Sequence, residues 1–580
     1  MHTRIKKLIM RWEAKPVPND EVIKLLQNQI GISRNSSIIL AQRGINNYDR
    51  AKSFFRPQLN HLHDPFLMKD MKLATDRIED AIKNHEKIFI YGDYDVDGVT
   101  STALLTTFLK QKTTNIFPYI PDRETEGYGI SIHGINEAIK KGVSLIISID
   151  CGIKAVEQVE YAKANNIDFI ICDHHLPERE IPNAIAVLDP KRDDCEYPFK
   201  ELCGCGIGFK LIQALCLEWG IDPQQLTNYL DLVSLATVGD QMPLNDENRV
   251  ITYLGLRQIN ENPRPGIKAL LSDLKGQEIS TSTLVFKLSP KVNAAGRMKH
   301  ASLALELLMC DKLKDTINLS EQIQSINIER REEDKKTTKE ALIQIKDREE
   351  ELFSSTLVYD DNWHPGIIGI VASRLIEKYY RPTIVLTKKG QYYIGSARSI
   401  NGFDIYKALK KCSNLLEQFG GHKYAAGLKL HESKLKLFRS EFEKFSNKNI
   451  SEKQKIKTLI YDLEIPLTDL NLKFFNIIKQ MGPFGPKNLK PIFCTRDCLI
   501  SERTCCVGKE SQHLQIFIKA ESKTFKGIAF NKGEELNKIK ESETVDILYS
   551  IEKNSWNGNE ELQLMIIDII YQKKPPFVGG

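Results

Sequence analysis

Between residues 85 and 190 the chain alternates short apolar runs with segments of helical periodicity. The runs KIFIY, NIFPYI, SLIISID, DFIICD and AIAVLD are rich in β-branched and aromatic residues and predict strands. From Val99 onward, Ala103, Leu104, Leu105 and Phe108 fall on one face of a helix. Strands alternating with helices predict an α/β domain built on a mostly parallel sheet with helices on both faces. Residues 204–310 read as mainly helical. The charged run from NLSEQIQS to REEELF, free of glycine and proline, predicts a long solvent-exposed connecting helix. STLVYD, GIIGIVASRLIEKYY, PTIVLT and YYIGSARS then predict a smaller α/β unit. NKNISEKQKIK reads as a linker, and HLQIFIKA, TFKGIAF, TVDILYSIE and LQLMIIDII predict an OB-like β-barrel. The expected division is an N-terminal extension (1–50), the sheet domain (51–316), the connecting helix (317–353), the smaller α/β domain (354–447) and the barrel (455–572), with a disordered tail KKPPFVGG.

Length and charge change this picture little. At 580 residues the chain is too long for a single core. With 81 basic against 76 acidic residues the net charge is +5, so a phosphate-binding surface has to be a local patch. No apolar run is long enough to cross a bilayer, which excludes a membrane role, and the basic start MHTRIKKLIMRW is not a secretory signal. Twelve cysteines without paired spacing fit thiols in a reducing cytoplasm. Cys195, Cys203 and Cys205 come nearest to a zinc motif, but Cys-x-Cys is too tight for the usual knuckle.

The chemistry gathers at strand ends. GDYDVDG places Asp93, Asp95 and Asp97 on the turn leaving the first strand. One aspartate there caps the following helix, whereas three at alternate positions repel one another unless a cation sits between them. A calcium loop of the EF-hand type is excluded, because its twelfth position needs a glutamate and here falls on Leu104 or Leu105. SLIISIDCG ends on Asp150, DFIICDHH on Asp173, His174 and His175, and Asp240 follows a helical run in LATVGDQMPL. Strand ends of a parallel sheet share one edge, so these groups can converge. Carboxylates with one or two imidazoles suit Mn2+ or Mg2+, and five carboxylates suit two ions, with Asp150 the candidate bridge.

GDYDVDG, SIDCG, CDHH and VGDQMPL, in that order, resemble the four motifs of the Asp-His-His phosphoesterase superfamily. PDRETEGYGI, PKVNAAGRM, WHPGIIGIVASRL, GSARS, FGGHKYAAG and PFGPKNLKPIF narrow the likeness to its bacterial single-stranded-DNA-specific exonucleases, over residues 50 to 570. The resemblance implies a phosphoesterase domain at 51–316 and an associated domain at 354–447, with a cleft between them. It also implies Asp93, Asp95, Asp97, Asp150, His174 and Asp240 as ligands of two ions. His175 would face the scissile phosphate, and Asp173 would orient a histidine. Asn293, Arg297, Ser396, Arg398 and His422 would contact phosphate, Arg123 a phosphate and Tyr128 a base. Each has an ordinary alternative in a surface ion pair, a turn or a half-buried ring. In the barrel, Lys487, Lys490, Phe493 and Trp556 are candidates for strand binding, or core.

The implied activity is 5′-to-3′ hydrolysis of single-stranded DNA to mononucleotides in recombination and repair. Single-strand-binding protein and helicases would be partners, and the location cytoplasmic. The rivals are a small-substrate phosphodiesterase of the same superfamily and a non-catalytic single-strand-binding scaffold.

Overall fold

The computed structural model describes residues 10–521, 523–556 and 559–572. The basic start, the tail 573–580 and the side chain of Trp556 lie outside the described residues. All five predicted strands of the first domain form: β1 (Ile88–Tyr91), β2 (Ile116–Tyr119), β3 (Leu145–Ile149), β4 (Asp168–Cys172) and β5 (Ala186–Leu188). They pair in parallel in the order β2-β1-β3-β4-β5. The chain leaves β1 toward one edge and returns at β3 on the other side. The carboxyl ends of β1 and β3 therefore flank the point where strand order reverses, which is where open α/β sheets bind ligands.

Helix α1 (Val96–Leu109) follows β1 and is buried on nearly every face, among them beneath α2 (Gly204–Glu218) and α3 (Leu230–Gly239). Its apolar positions therefore show little amphipathic contrast. Its polar residues are satisfied along the helix, Thr100 Oγ1 donating to the Val96 carbonyl at 2.6 Å and Thr102 Oγ1 to that of Gly98 at 2.7 Å. Later come α4 (Ser289–Met298) and the long α5 (Leu313–Asp347).

Two expectations need correction. The connecting helix starts earlier and is not solvent-exposed all round. Thr316, Ser320, Ile323, Asn327, Arg330, Asp334, Thr337, Ala341 and Ile345 are buried at alternating spacings of three and four. Small and polar residues disguise that stripe in the sequence. The N-terminal segment is no separate extension either. Met10–Ala14 pairs in parallel with Lys457–Tyr461, inside the stretch read as linker and barrel start. Leu26, Ile39, Leu40 and Phe54 join the core of the C-terminal domain. Phe493 is fully buried in that same core and offers no ring to a ligand, while Lys490 is paired with Glu552 at 2.7 Å.

The second lobe carries β6 (Thr356–Asp360), β7 (Thr383–Lys389), β8 (Tyr392–Arg398), β9 (Gln418–Gly421) and β10 (Ala425–His431), in the order β9-β10-β8-β7-β6. In the C-terminal domain the pairing passes from Phe493–Ile500 through Thr544–Trp556, Asn559–Gln572, Lys523–Ala529 and His513–Ala520. It then returns to the first strand through Leu499↔Lys519 and Ile500↔Ile518. This is the connectivity of an OB-fold.

Candidate metal centre and interlobe cleft

The turn after β1 is built by its own acids. Asp95 is the N-cap of α1, its Oδ1 accepting the Asp97 and Gly98 amides at 2.9 and 3.2 Å. A Cβ on Gly98 would lie 2.4 Å from the Asp93 backbone, so the last residue of GDYDVDG has to be glycine. Asn293 of α4 accepts the Val96 amide at 2.8 Å and pins the turn from behind.

The three aspartates then part company. Asp93 and Asp95 each bring a carboxylate oxygen within 4.8 Å of one from Asp150, while Asp97 does the same with His174 and Asp240. Asp150, in the left-handed region at φ 62°, also groups with His174 and His175. His174 Nε2 lies 3.2 Å from Asp150 Oδ1 and 3.8 Å from both Asp97 Oδ2 and Asp240 Oδ2. The six side chains thus gather in one place, with His174 linking Asp150 to Asp97 and Asp240.

Burial pushes the Asp93 and Asp150 carboxyls well above the usual range, and neighbouring aspartates push further. Asp240 keeps 35% of its side chain exposed, yet desolvation beside the cluster and the Asp97 and Asp95 charges lift it to about 8. Burial holds the His174 imidazole down at about 4, so it is neutral and able to donate a lone pair. Asp93 Oδ1 and His174 Nδ1 are buried without a hydrogen-bond partner among the described residues. Crowded acids, a neutral imidazole and an orphaned acceptor fit divalent cations bound through oxygen and nitrogen.

Asp173 does other work. Its Oδ1 accepts the His174 and His175 amides and His175 Nδ1, the last at 2.7 Å, and its Oδ2 accepts the Ile153 amide at 2.9 Å. Burial alone would raise this carboxyl, but the His175 hydrogen bond and nearby imidazoles hold it at about 2. In return, against the effect of burial, Asp173 raises the His175 imidazole. The Tyr128 hydroxyl lies 3.0 Å from His175 Nε2.

Beside this centre, between the two lobes, lies a cleft of about 1040 Å³. From the sheet domain it takes Arg123, Tyr128, Asn293 and Arg297, and from the second lobe Ser396, Arg398 and His422. Every phosphate or DNA candidate named from the sheet domain and second lobe is therefore on its wall. Asn293 spends its carbonyl on Val96, and Tyr128 contacts His175. The Arg123 guanidinium stacks 5.1 Å over the Tyr94 ring. Arg297 Nη1 donates to the Gly366 carbonyl across the lobes at 3.1 Å, and Arg398 donates to Ser396 Oγ at 3.0 Å.

Sequence reasoning missed the start of α2. Asp97 Oδ2 and Oδ1 accept the Gly204 and Cys205 amides, and Cys203 caps the helix through Sγ. These cysteines serve the helix start, and no candidate metal cluster among the described residues contains one. The available signal was glycine at 204, 206 and 208 in an otherwise apolar helix.

Comparison with known proteins agrees with this architecture. The DHH family, N-terminal domain, matches residues 87–237, the DHHA1 domain 350–448 and the RecJ OB domain 461–568. The single-stranded-DNA-specific exonuclease RecJ of Bacillus subtilis (strain 168) is 37% identical over 563 residues, covering 96% of this chain and 70% of that one. That of Salmonella typhimurium is 34% identical, covering 86% and 89%. The crystal structure of Thermus thermophilus RecJ in complex with Mn2+ shares the fold, with a TM-score of 0.85 at 24% identity over 98% of this chain and 80% of that one. With the fold, the arrangement of domains and relatives of this identity in agreement along most of its length, the chain belongs to the RecJ family of single-stranded-DNA-specific exonucleases.

Proposed function

We propose that this chain is an exonuclease that hydrolyses single-stranded DNA with two divalent ions, Mn2+ or Mg2+. The observation that carries the reading is Asp150. Its carboxylate groups with Asp93 and Asp95 and lies 3.2 Å from His174, which groups in turn with Asp97 and Asp240, beside a cleft walled by arginine and histidine. In this reading Asp93, Asp95 and Asp150 would hold one ion and Asp97, His174 and Asp240 the other, with Asp150 the candidate to be shared. Bound ions supply Lewis acidity and neutralise charge developing on the phosphate.

The chain's own residues do the rest. Arg297 and Arg398 orient phosphate oxygens, Ser396 and Asn293 add neutral donors, and Arg123 does so from its seat on Tyr94. Asp173 keeps a proton on His175 Nδ1, leaving Nε2 to face Tyr128 and to hold a second proton for the departing sugar oxygen. As water attacks and the phosphorus–oxygen bond breaks, that proton moves to the leaving oxygen. A cleft enclosed by two lobes admits a strand only after its pairing is broken, which accounts for selectivity against duplex.

Family membership supports the 5′-to-3′ direction, release of mononucleotides and a role in recombination and repair. Single-strand-binding protein and helicases as partners, and a cytoplasmic location, belong to the same reading. No helix among the described residues is long and apolar enough to cross a membrane. The test is a long single strand labelled at either end, with Mn2+, comparing wild type and Asp150→Ala. Mononucleotides from the 5′ label alone, lost in the variant, are expected. Cleavage confined to di- or trinucleotides would favour a small-substrate phosphodiesterase instead, and unchanged nucleolysis in the variant would remove Asp150 from the centre.

A further inference from the structure

Cations face the ligand array from two ends, and only one end has a role so far. Arg123 and Arg297 line the cleft together with Tyr94 and Asp95, Arg123 lying 5.1 Å over the Tyr94 ring. The other end is formed where β5 runs beside β4. The pairing Cys172↔Leu188, continued by the Asp173 amide donating to the Leu188 carbonyl at 3.0 Å, sets the register. Lys191 thus lies as far beyond β5 as His175 lies beyond β4. Its amide donates to Asp189 Oδ1 at 2.7 Å, which fixes the turn. Its charge is felt by His422 of the second lobe. Among the described residues no ion pair occupies its ammonium.

Lys154 comes to the same edge of the sheet from β3, on the other side of β4. It follows Asp150 by four residues, lines the cleft, and its charge too is felt by His422 of the opposite lobe. Its partner Glu178, 3.4 Å away, is 67% exposed, so the pair is weak and readily exchanged.

We propose that Lys154 and Lys191 hold the backbone phosphate adjacent to the scissile one, on the side of the metal centre away from Arg123 and Arg297, with His422 opposite them. Lysine suits this place. A flexible point charge attracts phosphate without fixing its angle, so the strand can step past after each cut, whereas the arginine forks at the other end hold one geometry.

The inference rests on the single-strand nuclease reading, and its test separates the two. Steady-state hydrolysis of a single-stranded oligonucleotide with Mn2+ is followed between about 50 and 200 mM salt for wild type, Lys154→Ala/Lys191→Ala and Lys154→Arg/Lys191→Arg. The alanine pair is expected to raise KM about tenfold with kcat within about twofold, and to flatten the salt dependence of log kcat/KM by about 0.7 for each phosphate no longer neutralised. The arginine pair is expected to restore the slope. A single methylphosphonate linkage moved along the strand should weaken wild type at the adjacent phosphate and weaken the alanine pair no further there. Unchanged KM and slope, a fall in kcat at unchanged slope, or losses that multiply would overturn the inference while leaving the nuclease reading intact. A wild type that leaves the strand uncut would overturn both.

Discussion

The Asp97 carboxylate lies across the first turn of α2, with Oδ2 accepting the Gly204 amide at 2.7 Å and Oδ1 that of Cys205 at 2.8 Å. A helix N-terminus welcomes negative charge, so one carboxylate of the cluster is held by a helix more than 100 residues further along the chain.

Gly204 has no room for a side chain, since a Cβ would sit 2.6 Å from that of Asp150. Gly204→Ala is therefore expected to push α2 and Asp150 apart, to lower kcat/KM by about a hundredfold and to weaken Mn2+ binding. Steady-state kinetics and titration calorimetry check this. Activity and affinity at wild-type levels would show that the turn relaxes freely.

Asp173 orients rather than ligates. Asp173→Asn leaves the metal oxygens in place but loses the charge that lifts His175. The turnover number is expected to fall by about a hundredfold or more, within the range of a lost general acid, roughly 10²- to 10⁴-fold. Mn2+ affinity should change far less. Equal losses in affinity and turnover would make Asp173 part of the ligand set.

Acidity and ion binding are linked through the raised carboxyls. Without cations the folded state binds more protons than the unfolded chain between the ordinary aspartate value and about 8, the value of Asp240, so stability falls as pH rises across that window. His174, held at about 4, acts oppositely between there and its ordinary value near 6.5, while His175 adds to the carboxyl effect. The clean interval therefore runs from about pH 6.5 to 8. Over it the melting temperature of chelated protein should fall, and the gap to Mn2+-saturated protein should widen as ligands deprotonate. Parallel curves in differential scanning calorimetry would contradict the proposed ligand set.

Arg249 joins the sheet domain to the C-terminal one. Its guanidinium donates to the carbonyls of Phe54, Met481 and Gly482 and stacks 3.6 Å over Phe54. Arg249→Ala leaves three carbonyls facing a void and is expected to cost about 3 to 5 kcal/mol, the lower part of the range for three buried groups left unsatisfied at about 1 to 3 each. Calorimetry should then resolve two transitions, and Arg249→Lys should rescue little because lysine lacks the fork. A single transition at the wild-type temperature would contradict the linking role.

Legibility in the sequence followed range. The strands at 88–91, 116–119, 145–149, 168–172 and 186–188 were readable because β-branched runs declare themselves locally. The acids and imidazoles that gather were readable because several of these residue types at the ends of neighbouring parallel strands share one edge. The stripe on α5 was missed because threonine, serine and asparagine fill it. Arg297, Ser396, Arg398 and His422 were reachable only through family likeness, as nothing near them in the chain says that two lobes meet there.

By itself the sequence determined the parallel sheet, the set of acids and imidazoles and the kind of cation they suit, because periodicity and ligand chemistry are properties of short segments. Only the tertiary structure decided that Asp93 and Asp95 group with Asp150 while Asp97 groups with His174 and Asp240. It alone seated Asp97 on the start of α2, and it alone built residues 10–55 into the C-terminal domain. Those choices depend on contacts between segments far apart in the chain, whose geometry no local pattern carries.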